Sequence, residues 1–136
     1  MTDTAQTLLR DARDAREHAY APYSHFAVGA VVLTRDGRRF AGCNVENASY
    51  GLCNCAERTA LFAAIAAGCA PGDFAALAVT ADTPAPVMPC GACRQVIAEL
   101  CDADMPVWLG NIAGDVQETR VAALLPGAFR LEAEPR

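Results

Sequence analysis

The stretches Cys55-Ala56-Glu57-Arg58 and Pro89-Cys90-Gly91-Ala92-Cys93 carry the residues around which the rest of the chain is organised. The two cysteines of the second stretch are three residues apart, which places both sulfurs on one face of a first helical turn. In the first stretch Cys55 and Glu57 are two residues apart, so one can point at a metal ion and the other beside it. Helix N-termini carry positive partial charge, which favours the thiolate form of a cysteine over the thiol. Three thiolates around Zn²⁺ leave one tetrahedral position open, as in a catalytic site.

Composition and charge limit what the chain can be. At 136 residues with a hydrophobic fraction of 53%, it is long enough for one domain with a real core, which we expect to span residues 1–136. The formal net charge is −5. Phosphate binding needs a basic patch, so neither nucleic acid nor an acidic membrane is expected as the main partner.

The first residues, Met1-Thr2-Asp3-Thr4-Ala5, have neither a basic n-region nor an apolar h-region. No apolar run is long enough to span a bilayer. Seven cysteines are an odd number, so at least one is outside any intrachain disulfide. Reduced thiols in a cytoplasmic protein are the simpler interpretation.

Hydrophobic periodicity and turn signals predict an α/β domain, a three-layer α-β-α sandwich with one mixed sheet of about five strands. The predicted helices are 2–20, with Asp3 as N-cap, then 55–67, 91–100 and a short 121–125. The predicted strands are 26–34, 39–45, 74–81, 106–109 and 116–119, and an Asp36-Gly37 turn joins the first two. The helix at 55–67 is apolar almost all round, which predicts that it is largely buried.

The sequence is similar to the small homotetrameric cytidine deaminases in five blocks that follow one another along the chain. These blocks are APYSHFAVGA at 21–30, GCNVENA at 42–48, CAERTA at 55–60, PCGACRQ at 89–95 and LLPGAF at 124–129. One block alone is a weak or moderate signal, but five in this order are specific. Three metal ligands with a nearby non-ligand glutamate are also the general pattern of zinc deaminases.

The resemblance implies a reaction and the residues at its centre. Cys55, Cys90 and Cys93 would bind Zn²⁺, and Glu57 would shuttle protons. The reaction would be hydrolytic deamination of cytidine and deoxycytidine to uridine and deoxyuridine in pyrimidine salvage. A zinc-bound hydroxide would attack C4 of the base, and ammonia would leave.

The resemblance also implies how a nucleoside would be held. Asn44 and Glu46 would bind ribose hydroxyls, and Phe26 would pack against the nucleoside. Apart from the resemblance, Phe26 is expected in the core as an apolar residue, so it would be both core residue and pocket wall. The backbone at Ala56 would bind the base carbonyl. Phe129 would reach into a neighbouring subunit's pocket, so the active sites would be shared across a homotetramer.

Arg58 is a candidate for charge compensation. Three thiolates and Zn²⁺ sum to −1, which weakens the metal as a Lewis acid. Arg58 lies one residue after Glu57, and we expect it to donate hydrogen bonds to the ligand thiolates.

Cys53 leaves an alternative open. A fourth thiolate from Cys53 could close the metal site, and four cysteines would then form a structural zinc site with no open position. Against this, a Cys-x-Cys pair fits less naturally than the usual zinc spacings. Cys43, Cys69 and Cys101 are expected to be buried free thiols that act as small hydrophobic residues.

Other functions compete with a nucleoside deaminase. A nucleotide deaminase needs a phosphate-binding cluster, and none stands out. A deaminase of polynucleotides needs basic and aromatic surface, which the acidic balance disfavours. A blasticidin-type deaminase shares the zinc pattern, but the Asn44-Val45-Glu46-Asn47 motif favours a nucleoside substrate. From another class, a zinc-stabilised binding module without catalysis also remains open.

Overall fold

A mixed five-stranded sheet forms the centre of the structure, a computed structural model that describes residues 1–132. The strands are β1 (Val28–Thr34), β2 (Arg39–Cys43), β3 (Phe74–Ala81), β4 (Pro106–Asn111) and β5 (Val116–Arg120). Their order across the sheet is β2-β1-β3-β4-β5. β3 and β4 are parallel, and the other neighbouring pairs are antiparallel.

The first helix, α1 (Asp3–Arg16), covers one face of the sheet. Its apolar side chains pack against side chains of β1, β3 and β4 that point to this face. The buried cluster consists of Ala5, Leu8 and Ala12 from the helix and Val31, Ala76, Ala78 and Trp108 from the strands. Thr2 caps this helix, because its side chain accepts the backbone N–H of Ala5, so the prediction of Asp3 as N-cap was wrong. The helix also ends before residue 20, since Tyr20 donates its N–H to the carbonyl of Asn44 at 3.0 Å.

Three helices cover the opposite face: α2 (Ala56–Ala66), α3 (Gly91–Leu100) and the short α4 (Val121–Leu124). The alternate side chains of β1, β3 and β4 point into this second, larger cluster. The predicted three-layer α-β-α arrangement with a mixed sheet is therefore confirmed. Among residues 1–132, no helix has both the length and the apolar character needed to cross a membrane.

The helix α2 is less buried than its composition predicted. Ala60, Leu61 and Ala64 are fully buried against the sheet. Phe62, on the other side, is 46% exposed. An apolar helix thus keeps an uncovered apolar face, so the expectation of a helix buried almost all round was wrong.

The strand β2 and the helix α2 approach each other closely at Gly42. A side-chain carbon at this position would lie 2.4 Å from the backbone N of Ala60 and 2.5 Å from the carbonyl O of Ala56. Both are backbone atoms that cannot rotate away. Glycine here lets the start of α2 lie directly on the sheet, which sets the position of the residues on that first turn.

We expect Gly42→Ala to destabilise the fold, because the added methyl group overlaps the α2 backbone. Overpacking of this kind costs about 1–3 kcal/mol of unfolding free energy. Urea denaturation followed by circular dichroism measures it. Gly51→Ala is the matched control, since a side-chain carbon there meets nothing within 4 Å. Equal midpoints for the two variants would contradict the close approach.

Candidate metal centre and active site

Three cysteine sulfurs meet where α2 and α3 begin. Cys55 is the N-cap residue of α2, Cys90 is the N-cap residue of α3, and Cys93 lies in the first turn of α3. The ligand atoms of the three all lie within 4.8 Å of one another, and the sulfurs of Cys55 and Cys90 are 3.7 Å apart. The predicted set of metal ligands is therefore brought together by two helix N-termini.

The spacing of the sulfurs fits a zinc ion. Zinc–sulfur bonds of about 2.3 Å in a tetrahedron place two sulfurs about 3.8 Å apart. The Cys55–Cys90 distance of 3.7 Å agrees with this value. Thiolates are soft ligands of the kind that zinc prefers, and three of them leave one of four positions for a water molecule or a substrate.

Cys53 lies outside this cluster. Its sulfur accepts the backbone N–H of Asn47 at 3.3 Å and lies 3.7 Å from the carbonyl O of the same residue. The cluster of potential metal ligands found in residues 1–132 consists of Cys55, Cys90 and Cys93. The alternative of a closed four-cysteine site is therefore wrong.

Arg58 places a positively charged side chain against the cluster. Its Nη2 donates to the Cys55 sulfur at 3.3 Å, as the sequence predicted. A hydrogen bond from Cys93, assisted by Arg58 and Cys90, lowers the pKa of the Cys55 thiol to about 5. Cys55 is thus poised as a thiolate, which is the form that binds a metal.

Glu57 lies beside the cluster, only 4% exposed, on the first turn of α2. Burial raises the pKa of its carboxyl group to about 7, and the Cys55 thiolate adds to this shift. Its own backbone N–H and Arg58 oppose the shift. A carboxyl group with this pKa is populated in both protonation states near neutral pH, so it can accept a proton and give it back.

Asn44 and Glu46 form a second cluster with the segment that precedes β1. The Asn44 amide accepts the N–H of Val28 at 2.8 Å and donates to the carbonyl O of Phe26 at 2.7 Å. Glu46 accepts the N–H groups of Tyr23 and Ser24 at 3.0 and 3.1 Å. Both side chains proposed for ribose binding therefore also hold the segment 23–28 in place.

A short backbone bridge joins the two clusters. Val45 and Asn54 exchange backbone hydrogen bonds of 2.9 Å in each direction. Glu46 directly follows the bridge on one strand, and Cys55 directly follows it on the other. The segment 44–46 and the segment that leads into Cys55 are therefore neighbouring stretches of backbone.

A groove of about 270 Å³ opens at this segment, lined by Tyr23, Ser24, Glu46, Tyr50 and Cys53. The rings of Tyr23 and Tyr50 meet edge to face, with centroids 6.0 Å apart. Phe26 is 41% exposed, so the expectation that it also belongs to the buried core was wrong. His25 has a left-handed φ of 58°, a conformation uncommon outside glycine.

The other two proposed substrate contacts lie at helix α2 and near the C-terminus. Ala56 is the first residue of α2, so its N–H has no acceptor within the helix and is free for a ligand. Phe129 is 69% exposed on its own chain. Gln95 on α3 donates to the carbonyl O of Phe129 at 2.9 Å, which fixes the backbone from which the ring projects.

Sequence reasoning missed the role of Ser24. Its hydroxyl donates to Glu46 and accepts the N–H of Phe26 at 3.0 Å. The available signal was its place inside the 21–30 block, but nothing in the spacing indicates that residues 22 positions apart meet. That contact depends on how the segment before β1 folds back on the segment after β2.

A metal site with an open position beside a buried, proton-exchanging carboxyl group defines a class of enzyme, the zinc-dependent hydrolases that activate water. The family model for the "Cytidine and deoxycytidylate deaminase zinc-binding region" matches residues 2–109. The chain belongs to this family of deaminases. It is therefore an enzyme, and the alternative of a binding module without catalysis is wrong.

Individual relatives agree with the family match. A cytidine deaminase of Halalkalibacterium halodurans is 61% identical over 127 residues, which cover 93% of this chain and 95% of the relative. One of Mycobacterium tuberculosis is 43% identical over 137 residues, 100% of this chain and 98% of the relative. The crystal structure of cytidine deaminase from Burkholderia pseudomallei superposes with a TM-score of 0.91 at 60% identity, covering 95% of this chain and 100% of that one.

We expect Arg58→Gln to weaken zinc binding, because the change removes the positive charge that compensates three thiolates. Loss of a group that supports metal ligands typically costs about 10–100-fold in metal affinity or activity. Competition with a chromophoric chelator measures the affinity. Arg13→Gln, an exposed arginine on α1, is the control. Unchanged zinc retention together with unchanged turnover would contradict this role.

Proposed function

We propose that the protein catalyses the zinc-dependent hydrolytic deamination of cytidine and deoxycytidine to uridine and deoxyuridine, with release of ammonia. The observation that carries the proposal is the open cluster of Cys55, Cys90 and Cys93 with Glu57 buried beside it. Membership of the deaminase family and the identity to proteins named cytidine deaminase support the choice of substrate.

Cys55, Cys90 and Cys93 would hold the zinc ion, which when bound lowers the pKa of a water molecule and makes it nucleophilic near neutral pH. Glu57 accepts one proton from the attacking water molecule and delivers it to ring N3 while the water oxygen adds to C4. Glu57 then takes the second proton from the new hydroxyl and gives it to the amino group. The C4–N bond breaks, ammonia leaves, and C4 retains the oxygen as a carbonyl.

The first turn of α2 supplies both the proton carrier and a contact to the base. The N–H of Ala56 binds the base carbonyl, and the next residue is Glu57. Because both groups belong to one rigid turn, a base held at Ala56 is positioned for proton transfer by its neighbour. Gly42 supports this turn from the sheet side, where its missing side chain admits the carbonyl of Ala56.

The segment 44–46 binds the sugar. After its contacts to the segment 23–28, the Asn44 amide has one N–H and one lone pair left, and these can bond a ribose hydroxyl. Glu46 retains a lone pair for the same purpose. Phe26 packs against the nucleoside, and its 41% exposure provides the surface for that contact.

The active protein is a homotetramer with shared active sites, in which Phe129 of one subunit enters the pocket of a neighbour. Two uncovered apolar groups support this assembly, the ring of Phe129 and the outward face of α2 at Phe62. Gln95 holds the backbone at Phe129.

We further propose that residues 1–136 form one deaminase domain that acts in pyrimidine salvage in the cytoplasm. All five strands belong to one sheet, and the helices pack on its two faces. All seven cysteines are free thiols, which suits a reducing compartment.

The experiment that tests the proposal follows the ultraviolet absorbance of cytidine with purified protein, with zinc quantified on the same sample. We expect loss of the cytidine signal at about one zinc per chain. Cytosine, dCMP and blasticidin serve as comparison substrates. Bound zinc without turnover of cytidine or deoxycytidine would contradict the proposed reaction, and turnover of one comparison substrate would then identify the amine that is used.

Glu57→Gln should abolish turnover while the zinc content and the unfolding midpoint stay close to those of the wild type. General acid–base catalysis contributes about 10²–10⁴-fold, and Glu57 carries both proton transfers, so we expect a loss of at least about a thousandfold. Cytidine absorbance measures the turnover, metal analysis the zinc content, and urea denaturation the unfolding midpoint. Glu99→Gln, on an exposed position of α3, is the control. A variant with wild-type turnover would rule out Glu57 as the proton carrier.

Phe129→Ala should raise the KM for cytidine by about tenfold, as removal of an aromatic residue central to a contact costs roughly 1–2 kcal/mol. Light scattering should give four chains for the wild type. Mixed tetramers of Phe129→Ala and Glu57→Gln chains provide the sharper test. In these, a chain with intact Glu57 can receive Phe129 from its neighbour, and part of the low-KM activity should return.

Two results would contradict the shared site: a monomeric wild type with full activity, or mixtures that recover no low-KM activity. Leu131→Ala, which removes a nearby exposed apolar side chain, is the control for a general effect on the C-terminal segment.

A further inference from the structure

The carboxylate of Glu46 is held by an unusually complete set of donors for an accessible side chain. Its Oε1 accepts the backbone N–H groups of Tyr23 and Ser24 at 3.0 and 3.1 Å. Its Oε2 accepts the hydroxyl of Ser24. These hydrogen bonds, with that from the Ser24 hydroxyl as the largest, hold the pKa of Glu46 below its usual range. Glu46 is therefore a fixed carboxylate.

The number of free lone pairs on the Glu46 carboxylate determines where a ligand can form a hydrogen bond with it. Each carboxylate oxygen has two acceptor sites. Both sites of Oε1 are occupied by backbone donors, and one site of Oε2 is occupied by Ser24. One site on Oε2 remains, so a ligand hydroxyl can bond only to the oxygen that the serine hydroxyl orients.

The hydroxyl of Ser24 is itself fixed from the other side. A serine hydroxyl has one proton and two lone pairs. The proton goes to Glu46, and one lone pair accepts the N–H of Phe26 at 3.0 Å. The same oxygen thus links the carboxylate to the backbone of the phenylalanine, across the left-handed turn at His25.

We propose that Ser24 is a positioning residue for sugar recognition. Its hydroxyl aims the free lone pair of Glu46 at a ribose hydroxyl and sets Phe26 at the matching distance for the nucleoside. This inference rests on the proposed function, in which Glu46 binds the sugar of cytidine. Ser24 acts through Glu46 and Phe26, so it decides which sugars are accepted and does not take part in the chemistry at the base.

Removal of the hydroxyl leaves the remaining parts in place. In Ser24→Ala the two backbone donors still anchor Oε1, so Glu46 stays ionised and bound to the turn. Oε2 loses its partner, and its free lone pairs are no longer directed. The N–H of Phe26 also loses its acceptor, and that loss affects every nucleoside equally. A ligand that lacks the sugar hydroxyls makes no use of Oε2, so it is insensitive to that part of the change.

The test compares cytidine with 2′,3′-dideoxycytidine by the ratio of their kcat/KM values. The wild type should prefer cytidine, and Ser24→Ala should lower the ratio by about tenfold through the KM of cytidine, with kcat little changed. Ser24→Gly should lower it by a similar factor, and Ser24→Thr, which keeps the hydroxyl, should restore it. Ser49→Ala is the control, because that side chain makes no capping hydrogen bond to the turn it precedes.

Glu46→Gln separates this inference from the proposed function. If Glu46→Gln lowers the ratio of kcat/KM for cytidine over dideoxycytidine and Ser24→Ala does not, the role of Ser24 is overturned. The contact between Glu46 and the sugar then stands. An equal loss for both substrates in Ser24→Ala would also overturn the inference, since that is the result of a purely structural role. If Glu46→Gln leaves the ratio unchanged, or the wild type does not turn over cytidine, the proposed sugar contact or function fails and the role of Ser24 fails with it.

Discussion

The convergence of three cysteine sulfurs within 4.8 Å is the constraint on which the rest of the structure depends. Deprotonated sulfurs at this distance repel one another, and even a zinc dication leaves them with a net charge of −1. The local structure supplies compensation from two sources. Two of the cysteines are helix N-caps, where the aligned peptide dipoles carry positive partial charge, and Arg58 donates to Cys55 from one side.

The sheet supports this convergence from behind. α2 and α3 pack on one face of the sheet, and the absence of a side chain at Gly42 lets α2 lie close to β2. Arg94 adds a further tie, since it donates to the carbonyls of Pro89 and Leu124 and so connects the second ligand loop to the C-terminal segment. The metal ligands are therefore attached to rigid elements, which favours accurate positioning of the reacting groups.

Much of the site could be predicted from the sequence, because local spacing and helix starts determine it. Cys90 and Cys93 belong to one turn, and Glu57 follows Cys55 by two residues, so their chemistry is visible in short motifs. The proposed roles of Asn44, Glu46 and Phe129 came only from the family resemblance.

Local sequence patterns could not indicate the features that depend on long-range contacts. The backbone hydrogen bond from Tyr20 to Asn44 decides where α1 ends. The role of Ser24 depends on its contact with Glu46, which is 22 residues away in the sequence. The uncovered face of α2 at Phe62 likewise could not be read from composition, since an apolar helix is equally compatible with a buried core and with a subunit interface.

The central claim is that three cysteines bind one zinc ion and leave one position open for chemistry. X-ray absorption at the zinc edge of the purified protein measures this most directly, because it distinguishes sulfur from lighter ligands by number and distance. We predict three sulfur neighbours at about 2.3 Å and one oxygen or nitrogen neighbour at about 2.0 Å. Four sulfur neighbours would mean that Cys53 or another thiol closes the site, and that result would contradict the account.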